Sequence, residues 1–215
     1  SKGSDKKYRA YRLAVSVTGE NTTFYGGVPQ AAAAINATMT RVNGVFEKDF
    51  AIHMNVQDFP QLIYTNAATD PYSNASTGAS GAWNLEVQQT LTSVIGNAAY
   101  DIGHLFGRSG GGGSAGDIGY VCRNPSSNSD AEAKGSGFTS PGSGGPEGDN
   151  FDIDYVAHEM GHQFGADHTF SHGIQTAPYN TAHMEPGSGS TIMGYAGITS
   201  ADVQPHSDAY FHVRS

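Results

Sequence analysis

The sequence predicts an α/β domain followed by a small irregular tail, and three observations carry that reading. The first 57 residues run through a strand-like, a helix-like and a second strand-like pattern. Another helix-then-strand unit occupies positions 83 to 107. The last third holds one more helical stretch and then a run rich in Gly, Ser and His with no periodicity. Strands separated by helices imply crossover connections and parallel pairing.

Taken in order, Tyr8–Val17 (YRAYRLAVSV) alternates and is rich in β-formers, so it reads as a strand. The Ala-rich stretch from about Pro29 to Val42 has apolar residues at helical spacing and is expected to stop near Gly44. Phe50–Gln57 is a second strand, and Thr65–Ala82 a polar loop. Trp83–Gly96 is a helix with Leu85, Leu91, Val94 and Ile95 able to share a face, and Tyr100–Gly107 is a third strand. The four glycines of RSGGGGSAG fit either a flexible linker or the lead-in to an edge strand, where backbone must approach something closely. The apolar DIGYVC that follows reads as a short strand, and Cys122 in it as a small buried residue. Pro125–Asn150 is a long loop, of the kind usually tied to function. FDIDYVAHEMGHQFG is a helix, and SDAYFHVRS begins like another with Ser207 as N-cap.

Composition narrows the function. The chain has 215 residues, 37% of them hydrophobic, enough for one domain with a real core. Its formal charge is −9 with only 11 Lys and Arg, which argues against nucleic acid or an anionic membrane as partner. No stretch is long and apolar enough to span a bilayer. Many small polar residues and few cations suggest an exported bacterial protein. SKGSDKK has no apolar core of a signal peptide, so a processed or engineered N-terminus is expected. One cysteine, Cys122, excludes an intrachain disulfide.

The chemistry sits in HEMGHQFGADH, His158 to His168. Residues four apart lie one turn apart on one helix face, so His158 and His162 can share an ion. Glu159 lies beside them, displaced enough to hold a water rather than the metal. Gly165 can adopt positive φ and end the helix in a sharp turn, letting His168 return as a third ligand. Three imidazoles with one position open describe a catalytic zinc site, whereas structural sites use four protein ligands. Glu159 would then act as general base toward a metal-activated water.

The extended motif followed by Met193 in STIMGYAG resembles the metzincin metalloendopeptidases, and DYVAHEMGHQFGADHTF is similar to bacterial reprolysin-like (adamalysin-related) secreted proteases. GENTTFYGG, RVNGVFEKD, YDIGHLFGRSGGGGSAG and GYVC are similar to that group too, so the resemblance covers nearly the whole chain. It implies a zincin-like metzincin fold: a twisted mixed sheet with two long helices plus the active-site helix. One catalytic domain would span residues 1–215, with an upper subdomain over about 8–165 and a small irregular lower one over about 166–215. It implies zinc on His158, His162 and His168, Glu159 as general base, and Met193 in a turn beneath the site. Tyr195 stands where astacin-like and serralysin-like metzincins place a Tyr that reaches the zinc or the oxyanion; animal adamalysins generally lack it. They also carry Asp after the third His, where this chain has Thr169. Gly112, Gly113, Ser114 and Ala115 would offer backbone to an extended substrate, and Ile198 an apolar wall for the side chain after the scissile bond.

The implied function is a secreted, extracellular, monomeric endopeptidase acting on proteins and peptides, cut from a precursor. A zinc module that only binds protein and a zinc amidase are the rivals. Calcium is compatible with such a protein but has no placed site, because Asp149–Asp154 and Asp70–Asn74 lack calcium-loop spacing. Asp167 could bond a ligand imidazole or face solvent. His172, His183, His206 and His212 lack ligand spacing and read as local hydrogen-bonding residues.

Overall fold

The computed structural model describes residues 6–173 and 182–215. The polar N-terminal stretch read above as a processed end lies, in its first five residues, outside them.

Strand β1 (Arg9–Val17) leads through the short helix α1 (Gly19–Tyr25) into the long helix α2 (Val28–Phe50), and β2 (Ile52–Val56) follows. A short turn of helix, α3 (Ala75–Thr77), precedes α4 (Trp83–Val94), and β3 (Ile102–Phe106) comes next. The edge strand β4 (Gly113–Ser114) and the buried strand β5 (Gly137–Thr139) complete a sheet of order β2-β1-β3-β5-β4. β1 pairs parallel with β2 and β3, β3 parallel with β5, and β4 antiparallel with β5. The mixed sheet and its helices agree with the zincin-like α/β architecture read from the sequence.

Side chains alternate across a strand, and here both faces are covered. Leu13, Val15 and Val17 pack with Ile35, Met39, Val42 and Phe46 of α2 and with Phe151, Val156 and Met160 of the later helix. Ala14, Leu105 and Phe138 face the other way, onto Trp83, Val87 and Leu91 of α4. The sheet is therefore the middle layer, and the histidine-bearing helix shares one layer with α2.

Several expected boundaries move. Helix α2 does not stop at Gly44 but runs to Phe50, where Ala51 in the left-handed region (φ 56°) closes it onto the carbonyls of Phe46 and Glu47. Val42, Val45 and Phe46 are buried around an exposed Gly44, so tertiary packing outweighs the local cost of glycine. The loop after Thr65 becomes helical from Ala75, and the loop after Pro125 contains β5, too short and too Gly-rich to stand out.

DIGYVC is not a strand. Gly119 and Val121 donate their N–H groups to the carbonyls of His162 and Gln163, so the segment caps the C-terminus of the histidine-bearing helix instead of joining the sheet. Cys122 is accordingly exposed, at φ 68°, not buried on a strand. The C-terminal stretch forms no helix either: the Ser207 N–H donates to Asp154, and Phe211 is buried against Phe46 and Phe50. Tertiary contacts hold it in irregular form. Among the described residues no helix is long and apolar enough to cross a membrane.

An added methyl at Gly44 would meet no atom within 4 Å. Gly44→Ala should therefore stabilise the protein by about 0.5–1 kcal/mol through helix propensity alone. Urea denaturation measures this; a loss of stability would contradict the continuous helix.

Candidate metal centre

The histidine helix is built in three joined pieces: a first turn α5 (Asp149–Phe151), a π-helical stretch (Asp152–Ala157), and α6 (His158–Gln163). Wide turns of this kind are frequent at functional sites because they re-aim the next turn. Past Gln163 the chain closes in a Schellman turn: Gly165 N–H donates to His162 O and Ala166 N–H to Gly161 O. Gly165 has φ +107°, which an L side chain rarely adopts. That reversal carries His168 back over the helix.

The three imidazoles converge. His168 Nε2 lies 3.1 Å from His158 Nε2 and 3.0 Å from His162 Nε2. Tetrahedral zinc with Zn–N of about 2.0–2.1 Å sets its ligand nitrogens about 3.3 Å apart, so the cluster fits such an ion. The tautomers fit as well. His158 Nδ1 lies 2.6 Å from Ile192 O, and His162 Nδ1 2.7 Å from Ala166 O. A carbonyl can only accept, so each Nδ1 carries its proton and each Nε2 presents a lone pair. Burial and the neighbouring imidazoles hold His158 well below the usual histidine value, and burial holds His162 below it. Burial, with His162 and His183, pushes His168 down to about 3. The triad is thus kept neutral, as metal ligands must be.

Glu159 is almost fully buried beside the triad, and burial pushes its carboxyl up to about 8. The edge strand presses directly on it: an added methyl at Gly113 would sit 2.4 Å from Glu159 Cγ. Met193 is fully buried in the Thr191–Gly194 turn, closed by Gly194 N–H to Thr191 O. A methyl on Gly161 would fall 2.8 Å from Met193 Sδ and 2.8 Å from Phe211, so the motif's internal glycine lets that turn approach the helix. Tyr195 stacks on Phe170 at 4.2 Å and lies edge-on to His168 at 4.7 Å. Its phenol oxygen has no hydrogen-bond partner among the described residues.

Two cavities flank the triad and share Gly113, His158, Glu159 and Tyr195. One, of about 370 Å³, adds Gly112, Tyr155 and Ile198. The other, of about 350 Å³, adds Ser114, Ala115 and His168. All the substrate-contact positions named from the sequence therefore line one cavity or the other.

Other candidates fall away from the metal. Among the described residues, the metal-competent group is His158, His162 and His168 alone. His183 bonds Phe170 O, His206 faces Asp154, and His172 lies near Ser200. The imidazoles of His158 and His162 are anchored by backbone carbonyls, while Asp167 lines the second cavity beside His168. In the acidic stretches considered for calcium, Asp149 pairs with Arg41, Asp152 accepts from Thr38, and Asp70 accepts from the Gly19 and Tyr72 N–H groups; neither stretch forms a metal-competent group among the described residues.

Sequence reasoning missed two buried polar groups. Glu185 accepts from the Thr169 hydroxyl, from the Ser190 and Thr191 N–H groups at 3.0 and 3.1 Å, and from the Thr191 hydroxyl at 2.6 Å. Burial pushes its carboxyl up, but these hydrogen bonds outweigh burial and hold it below the ordinary range. It ties the residue after the third histidine to the turn under the site. Thr169, standing where animal adamalysins carry Asp, was the available hint that a carboxylate comes from elsewhere. The second is His104, fully buried in β3. Its ring nitrogens lie 2.8 Å from Gln163 Oε1 and from Thr139 Oγ1, joining the helix to the sheet. No spacing rule marks it.

The family model described as metallo-peptidase family M12B, reprolysin-like, matches residues 7–213. No curated protein matches the chain.

The depressed histidines make the metal-free protein acid-sensitive. Burial holds the three triad histidines below the ordinary 6.5, and pushes His104 down to about 4. The unfolded chain takes up these protons near pH 6.5, so stability is complete above that value and is lost as pH falls below it. Glu159, with its raised carboxyl, has the opposite sign but is one group against four. The urea midpoint of the metal-free protein should fall steadily from pH 7 to pH 5; a flat profile would contradict the burial of the triad.

Proposed function

The chain belongs to the reprolysin-like M12B metallopeptidase family, and from that premise we propose that it is a secreted zinc endopeptidase cutting internal bonds of extended protein segments, with Glu159 as general base. The zinc metalloprotease activity follows from the family; the residue roles and the secretion are our reading. The observation that carries it is the buried Glu159 carboxylate, set next to three converging, neutral imidazoles and open to both flanking cavities.

His158, His162 and His168 would hold the zinc. When bound, it supplies a Lewis acid that acidifies water and polarises the scissile carbonyl. Burial alone favours protonated Glu159; with zinc held on the triad, the carboxyl would be ionised and able to accept a proton. Glu159 then takes a proton from the attacking water and delivers it to the leaving amine. Tyr195, its ring held against Phe170, donates a hydrogen bond to the developing oxyanion.

The edge strand supplies the binding surface. β4 pairs with β5 on one side only, leaving the other edge of Gly113–Ser114 for an antiparallel peptide. A peptide so aligned sets the residues before the scissile bond against Ser114 and Ala115, and those after it against Gly112. Ile198, more than half exposed, offers an apolar surface to the first residue after the bond.

Glu159→Ala should keep its zinc by metal analysis and lose cleavage of a denatured protein substrate by at least about a thousandfold. Wild-type cleavage by that variant would exclude Glu159 as base and favour the binding-module rival. Tyr195→Phe should lower kcat more than it raises KM, and an unchanged kcat would remove the phenol from the mechanism.

A further inference from the structure

We infer that Asp154 selects a basic side chain, Lys or Arg, in the residue directly after the scissile bond. The inference rests on the endopeptidase reading and adds a substrate class to it.

The cavity on the Gly112 side of the triad receives that residue's side chain, because a peptide antiparallel to β4 runs past Ser114 first and Gly112 later. Asp154 lies in the π-helical stretch, four residues before His158, and forms part of this cavity's wall. Its side chain is only 11% exposed, so it is not a solvated surface charge. Both oxygens are held in place: Oδ1 accepts the Ser207 N–H at 2.8 Å, and Oδ2 lies 2.9 Å from His206 Nδ1. Each carboxylate oxygen can accept two hydrogen bonds, so one site on each remains for a ligand. His206 takes its position on Oδ2 through Nδ1, and its own ring is mostly exposed.

No Lys or Arg lines the cavity among the described residues, so nothing in the wall neutralises Asp154 permanently. A rigid, largely dehydrated carboxylate in a concave site gains most from a cation brought by the ligand. An aliphatic side chain would cover it without a partner, and an acidic one would be repelled. The nearer wall suits a long side chain as well. Tyr155 and Ile198 present apolar surface to a methylene stem, while Asp154 and His206 take its charged end. Ile198, more than half exposed, lines this cavity together with Asp154.

The test is a mass-spectrometric map of cuts made by the zinc-loaded protein in a denatured protein and in a peptide library. Lys or Arg should dominate immediately after the cut. A matched pair with arginine or its uncharged isostere citrulline at that place should differ in kcat/KM by about tenfold or more. In Asp154→Asn, the ratio of kcat/KM for the arginine over the citrulline peptide should collapse toward one. Wild-type preference for aliphatic residues after the cut, or equal rates on arginine and citrulline, would overturn the inference while leaving the endopeptidase reading intact. Absence of any internal cut would overturn both.

Discussion

The hydrogen bond from His158 Nδ1 to Ile192 O, 2.6 Å long, is the contact on which the rest of the site depends. It joins the first residue of the motif to the turn that lies beneath it. Without that bond the imidazole could rotate or exchange tautomers, and its Nε2 would not stay aimed at the ion. The same logic repeats at His162, where the carbonyl comes from Ala166, just beyond the Schellman turn. The turn that ends the helix thus both returns His168 and orients His162. Backbone carbonyls thus orient two of the three imidazoles, His158 and His162.

Because those anchors are backbone atoms, the site needs the two segments that supply them to stay in register. Glu185 meets that need, since it bonds Thr169 on one strand of chain and Ser190 and Thr191 on the other. Thr169 N–H adds a bond to Met193 O. Packing does the remainder. Gly161 admits Met193 and Phe211 against the helix, and Phe211 joins the aromatic cluster of Phe46, Phe50 and Phe164. The metal centre is therefore continuous with the core under α2, so the long helix supports the site although it contributes no residue to it.

The sheet plays a different part. β4 is two residues long and Gly-rich, which would be poor material for a stabilising strand. Its value lies in close approach: only glycine fits at position 113 above Glu159. The same strand lies at the edge of the sheet, paired only with β5 among the described residues. The edge strand and Glu159 are thus brought within contact distance by a residue with no side chain.

Much was legible in the sequence wherever one local rule governs. The spacing of His158, His162 and His168, with Gly165 between the last two, encodes a helix face, a left-handed turn and a return, and no distant contact alters that geometry. The α/β class was legible for the same reason, because strand and helix periods are local. What the tertiary structure decided was everything settled by partners far along the chain. Helix α2 continues through Gly44 because buried neighbours hold it, and DIGYVC leaves the sheet because helix carbonyls claim its N–H groups. The C-terminal stretch stays irregular because Asp154 and the aromatic cluster fix it first. The roles open to Glu185 and Asp154 belong to that second group. A carboxylate carries no period and no motif, and its meaning comes only from the groups that folding brings to it.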